Sequence, residues 1–191
     1  MNKVFCSTGA LLGWPNNRDY NLLKQCKSKI DCDGYEFMMY DNWRSEMDRL
    51  KSVVTGIGLS YPIFHIEKDI GNLISRNNDG DVEKAFELFE INCELASEIG
   101  SSRLVLHLWG GIDSDKDITN NINCYKELRQ IADSYNLVLT IENVVCNVGD
   151  PMSHLRELSE KYSDINFTFD TKMSEFHNQT SDIYLDENSN K

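Results

Sequence analysis

The chain is 191 residues long, with 31 acidic residues against 19 Lys and Arg and a net charge of −12 at pH 7. That length suits one domain with a sizeable core, and 40% hydrophobic with 26% charged residues is the balance of a soluble globular protein. The negative balance argues against a broad nucleic-acid interface, which calls for a basic face, but leaves room for a small anion held by one or two local cations.

In chain order, the opening MNKVFCSTGALLGW has one Lys and a short apolar run broken by Ser, Thr and Gly, so it does not read as a secretory signal. A strand is predicted over residues 3–7, then a loop holding Trp14, then a helix over 18–29. A strand at 35–39, a helix at 43–53 and a strand at 58–65 follow, the last closing on His65. After the turn-rich RNNDGD comes a helix over 81–99, where Val82, Ala85, Phe86, Phe89, Cys93 and Ala96 share one stripe, broadened by Leu95 and Ile99. Gly100 is its stop. A strand at 103–108 contains His107 and leads into Trp109 and the Gly110–Gly111 pair. A helix at 117–135 precedes a strand at 138–142, which ends on Glu142. The next helix, 151–162, has Asp150 as N-cap, Pro151 at its first position, and Met152, Leu155, Leu158 and Tyr162 as its buried face. A sixth strand, 166–170, ends on Asp170, and the polar tail 186–191 is expected to fray. No linker divides the chain, no stretch approaches the roughly 18 apolar residues of a membrane span, and six scattered cysteines without a C-x-x-C read as reduced thiols of a cytoplasmic protein.

Strands alternating with helices imply parallel pairing through crossover helices. Side chains alternate across a strand, so counting back by twos from each terminal residue separates two faces. Below Glu142 lie Thr140 and Val138; below Asp170 lie Thr168 and Asn166; below His107 lies Val105; below His65 lies Ile63. The opposite faces carry Leu139 and Ile141, Phe167 and Phe169, Leu104 and Leu106, and Phe64. One face that is small or polar and ends in a reactive group, with a large apolar face behind it, is what a parallel β/α barrel requires. A doubly wound sheet lacks that inward polar face, and no G-x-G-x-x-G follows the first strand.

Glu142 and Asp170 are hard oxygen donors suited to Mn²⁺, Mg²⁺ or Zn²⁺, with Asn143 beside the first as a supporting donor. The plainer alternative is acids at strand ends that pair with cations or cap the next helix. His65 and His107 sit at the same end of neighbouring strands and suit metal ligation or substrate hydroxyls. Trp109 and Trp14 each read as an apolar wall for a sugar ring or as ordinary packing. Lys172 reads as a holder of phosphate or of an enediolate oxygen, or as a partner of Asp170 or Glu175. His154 is expected at the surface of its helix, and His177 either folds over the site or lies in a solvated loop.

Four stretches in this order, YPIFH ending at His65, RLVLHLWGG, LTIENV and FTFDTKMSEFH, resemble the xylose isomerase-like barrels, which group sugar phosphate isomerases and epimerases with apurinic-site endonucleases. The resemblance implies an α/β fold, a parallel TIM-type barrel. It also implies Glu142 and Asp170 as metal ligands, Glu142 as proton-transfer group, and His65 and His107 against substrate or a further metal. It implies a divalent-metal-dependent sugar or sugar-phosphate isomerase or epimerase acting next to a carbonyl. Only six of the family's eight β/α units are legible, so residues 1–191 are expected to form one barrel domain truncated at its C-terminal side. The rival expectation is a non-catalytic or partner-completed partial barrel that binds a sugar or a protein and forms tight homo-oligomers. The endonuclease branch fits less well, because its His three residues after the last acid is Met173 here.

Overall fold

The computed structural model describes residues 2–27 and 29–181, and the tail expected to fray lies outside them. Six strands, β1 (Phe5–Ser7), β2 (Gly34–Met38), β3 (Ile63–His65), β4 (Arg103–Leu106), β5 (Val138–Glu142) and β6 (Asn166–Thr168), form one sheet. Their order in space is their order in sequence, and every pairing is parallel. The helices are α1 (Met47–Ile57), α2 (Asp69–Arg76), α3 (Asp81–Glu98), α4 (Ile118–Ser134), α5 (Pro151–Lys161) and α6 (Thr171–Phe176). Parallel strands joined in this way make a partial (β/α) barrel, the architecture that the strand parity predicts.

The parity holds where helices cover the sheet. Phe64, Leu104, Leu106, Leu139 and Ile141 are all buried on the helix side, each burial contributing about 1.5–3 kcal/mol. On β6 it holds less well: Phe167 is 38% exposed, because β6 is hydrogen-bonded on one side only among the described residues. The α3 stripe is buried through Ala85, Phe89, Cys93 and Ala96, and the helix stops before Gly100 at φ +82°. Asp150 caps α5 by accepting from the Ser153 amide at 2.9 Å, with Pro151 behind it.

Four expectations change. The helix expected at 18–29 is a 3₁₀ segment, Tyr20–Gln25, and the helix expected at 43–53 begins as 3₁₀ turns over Asp41–Glu46 before running to Ile57. The strand expected from residue 58 begins only at Ile63, because Gly58 is the left-handed cap of α1 at φ +68° and Pro62 withholds a donor. Helices α2 and α6 appear where the sequence reading assigned no element. Within α2, Gly71 lies so close to β4's exit that an added Cβ would overlap the His107 carbonyl oxygen.

Candidate active site

The C-terminal ends of the strands open on one cleft of about 470 Å³, which runs from Ser7 across His65, His107 and Glu142 to Asp170. That one cleft meets both the first and the last strand shows how far the sheet curls.

At its centre β3, β4 and β5 bring three donor groups together. Glu142 Oε2 lies 2.6 Å from His107 Nε2 and 3.2 Å from His65 Nε2, and the two rings meet edge to face with centroids 4.8 Å apart. His65 Nδ1 donates to the Ile66 carbonyl at 2.9 Å, and since a carbonyl only accepts, this bond turns Nε2 toward the carboxylate. Burial would push the Glu142 carboxyl upward, but the bonds from His107 and His65 outweigh it and hold it at about 2. Burial also keeps the His107 imidazole below its ordinary value, against the pull of Glu142. An ionised carboxylate facing two imidazole nitrogens calls for positive charge at their meeting point, and His65, His107 and Glu142 can hold a divalent cation there.

Asp170 reaches the same cleft but is not part of that cluster. Its Oδ1 accepts from the Lys172 and Met173 amides at 2.7 and 3.0 Å and caps α6, the plainer of its two sequence readings. Asn143, fully buried, pairs reciprocally with the Asp170 backbone: Nδ2 donates to its carbonyl at 2.9 Å and Oδ1 accepts from its amide at 2.5 Å. The side-chain amide thus adds one more rung to the β5–β6 pairing and sets where Asp170 leaves the sheet.

Sequence reasoning missed the cation of this cleft. Lys68, three residues past His65, lines it, while the exposed Lys172 does not. The backbone under Lys68 is anchored by its neighbour Glu67, whose buried carboxylate is gripped by Arg44 through Nε at 2.7 Å and through Nη2. Asn92 donates to Glu67 Oε1 at 2.8 Å and accepts from its amide at 3.3 Å. Glu36 also faces the cleft, holding the Ser7 hydroxyl at 2.7 Å.

Two aromatic expectations part company. Trp109 is fully buried; its indole donates to the Val144 carbonyl at 3.2 Å, so it is a packing residue and offers no wall to a ligand. Trp14 is 79% exposed, with the Arg18 guanidinium stacked 4.4 Å from its ring. His177 accepts from the Cys146 amide at 3.2 Å, away from the cleft.

His154, expected at the surface, is buried with Asp115 and Cys146 in a second cluster whose side chains can hold a divalent cation. Here, however, every group already has a partner. Asp115 accepts from the amides of Asn147, Val148 and Gly149 at 2.6, 2.9 and 2.6 Å, and from His154 Nε2 at 2.8 Å. The Cys146 thiol is pushed up to about 12 by burial and donates to the Val144 carbonyl at 3.5 Å.

The fold and site define a partial parallel β/α barrel with a His–His–Glu centre at its strand ends. No protein-family model and no curated protein matches the sequence. Among solved structures, a sugar phosphate isomerase/epimerase from Parabacteroides distasonis aligns with 98% of this chain and 74% of its own, at 13% identity and a TM-score of 0.64. A D-tagatose 3-epimerase-like protein aligns with 91% of this chain and 66% of its own, at 19% identity and a TM-score of 0.63. For the 3-keto-D-glucoside 4-epimerase of E. coli the figures are 88%, 67%, 13% and 0.60. The chain therefore spans about two thirds of the length of the latter two. At these identities the likeness establishes the fold, that of the sugar isomerase and epimerase barrels.

Proposed function

We propose that the protein is a divalent-metal-dependent isomerase or epimerase of a sugar or sugar phosphate, moving a proton next to a carbonyl. The observation that carries this reading is the convergence of His65 Nε2, His107 Nε2 and Glu142 Oε2 at the mouth of a parallel barrel, where such folds keep their chemistry. The names of the structural neighbours support it. Two imidazoles and one carboxylate suit Mn²⁺ or Zn²⁺ better than Mg²⁺, which prefers an all-oxygen shell.

A bound cation would polarise the substrate carbonyl and stabilise the charge that develops beside it. The chain's own groups do the rest. His65 and His107 fix the Glu142 carboxylate through Oε2, leaving Oε1 as the oxygen that takes the proton from the neighbouring carbon. A carboxyl held at about 2 is ionised at neutral pH, so it is in the form that can take up a proton.

The test is titration of the chain with Mn²⁺ and Zn²⁺, followed by NMR detection of deuterium entering ketoses incubated with it in D₂O. One cation per chain and exchange lost in Glu142→Gln is the expected result; exchange unchanged in that variant sinks the assignment. The second reading, a partial barrel that binds a sugar without turnover and pairs with copies of itself, is favoured by the outer edges of β1 and β6, which are unpaired among the described residues. It expects binding with no deuterium incorporation.

A further inference from the structure

Around the cleft, almost every charged group has a hydrogen-bond partner. Glu142 is claimed by two imidazoles, Asp170 by two backbone amides and Glu36 by the Ser7 hydroxyl. In the adjoining recess of about 210 Å³, Asp41 pairs with Arg18 at 3.0 Å and Asp69 with Arg44 at 2.8 Å. The exception is Lys68. It lines both the cleft and the recess, its side chain is exposed, and among the described residues its ammonium has no hydrogen bond or ion pair. It is also the only Lys or Arg lining the cleft among the described residues.

The backbone beneath it is the opposite of free. Glu67, one residue earlier, is tied to Arg44 and Asn92 on two other elements, and Ile70, two residues later, starts the buried face of α2. A fixed backbone therefore presents an unpaired, solvent-exposed ammonium beside the His65–His107–Glu142 centre.

We propose that Lys68 is the anion-recognition residue of this cleft, and that the substrate is a sugar bearing an oxyanion, a phosphate ester or a carboxylate, seated toward the Trp14–Tyr40 recess. The proposal rests on the reading of the site as a sugar isomerase or epimerase and narrows its substrate class. The reacting carbons lie over His65, His107 and Glu142, and the charged end reaches Lys68. The recess supplies the space beside it, with Arg18 held between the Trp14 and Tyr40 rings at 4.4 and 4.2 Å as its floor. A charge-assisted bond of this kind discriminates a charged sugar from its neutral counterpart about tenfold or more.

The experiment is isothermal titration of the full chain, with and without Mn²⁺, using D-fructose, D-fructose 6-phosphate, D-gluconate and inorganic phosphate. The variants are Lys68→Met, Lys68→Arg and, as a control outside the cleft, Lys172→Met. The expected result is that one of the two charged sugars binds most tightly, weakens about tenfold or more in Lys68→Met, recovers in Lys68→Arg and ignores Lys172→Met. Whether the phosphate ester or the carboxylate binds identifies the source of the anion. Equal affinity for D-fructose and both charged sugars overturns the proposal, as does a charged sugar that binds Lys68→Met undiminished. Either result with Mn²⁺ and D-fructose still bound leaves the sugar site standing, so the two failures are distinct. Binding of inorganic phosphate with no sugar bound at all marks an adventitious ion only and overturns both.

Discussion

Two clusters of similar composition sit at the same end of the sheet, and they are built to opposite ends. His65, His107 and Glu142 meet at an open cleft, with both imidazoles on one carboxylate oxygen. Asp115, His154 and Cys146 meet in the interior, where Asp115 has three backbone amides and an imidazole on its two oxygens. Residue type does not separate them, since each holds a carboxylate and at least one histidine. What separates them is remaining capacity. The closed cluster has each of its three side chains engaged and both Asp115 oxygens filled, so it acts as a fastener between the β4–α4 and β5–α5 loops. The open cluster keeps one carboxylate oxygen free of both imidazoles and faces the cleft, so it is the one with room for a ligand.

The contrast breaks most visibly on stability. Asp115→Ala strands three loop amides and His154, and a urea denaturation curve should show a loss of about 3–5 kcal/mol. An unchanged midpoint would mean that the loop stands without its fastener. Glu142→Gln should leave stability within about 2 kcal/mol of the parent while weakening Mn²⁺ or Zn²⁺ binding at least about a hundredfold by titration. Cys146→Ser should cost about 1 kcal/mol and leave the bound-metal count untouched; loss of the metal there instead would exchange the roles of the two clusters.

Acid sharpens the comparison further. Burial would raise the Asp115 carboxyl, but His154 and the three amides outweigh it and hold it far below its ordinary 3.8. A carboxyl depressed on folding contributes stability above its unfolded pKa and gives it up as pH falls toward the folded one. The stability gap between the parent and Asp115→Asn should therefore be flat from roughly pH 5 to 8 and shrink below about pH 4. A gap that closes near neutrality would point to an imidazole, and not the carboxylate, as the titrating group.

Much of the fold is legible in the chain because period two and period 3.6 are local signals. Leu139 and Ile141 against Thr140 and Glu142 give the face of β5 at once, and the Asp150–Pro151 pair marks the start of α5. What was not legible depends on distant neighbours. Helix α2 is eight residues with a glycine inside, and the reason for Gly71 is the His107 carbonyl 36 positions later, invisible to any window. Trp109 follows a strand like a rim residue, yet Val144 and His154 bury it. His154 finds Asp115 across 39 residues. Of the expected site, His65, His107 and Glu142 assemble, Asp170 turns to cap α6, and the cleft's lysine is Lys68, which no local pattern favoured over Lys172.

The strand order has a consequence for how the chain reaches this shape. Among the described residues each strand pairs only with the strands before and after it in sequence. No pairing has to wait for a distant segment, so the sheet can grow from one edge, each β/α unit docking on the last as it becomes available. For a parallel sheet, usually slow to form because its contacts span long loops, this keeps loop-closure entropy to one crossover at a time. Assembly on the ribosome would then follow synthesis unit by unit, and the cation-demanding centre would come into being only when β5 joins β3 and β4.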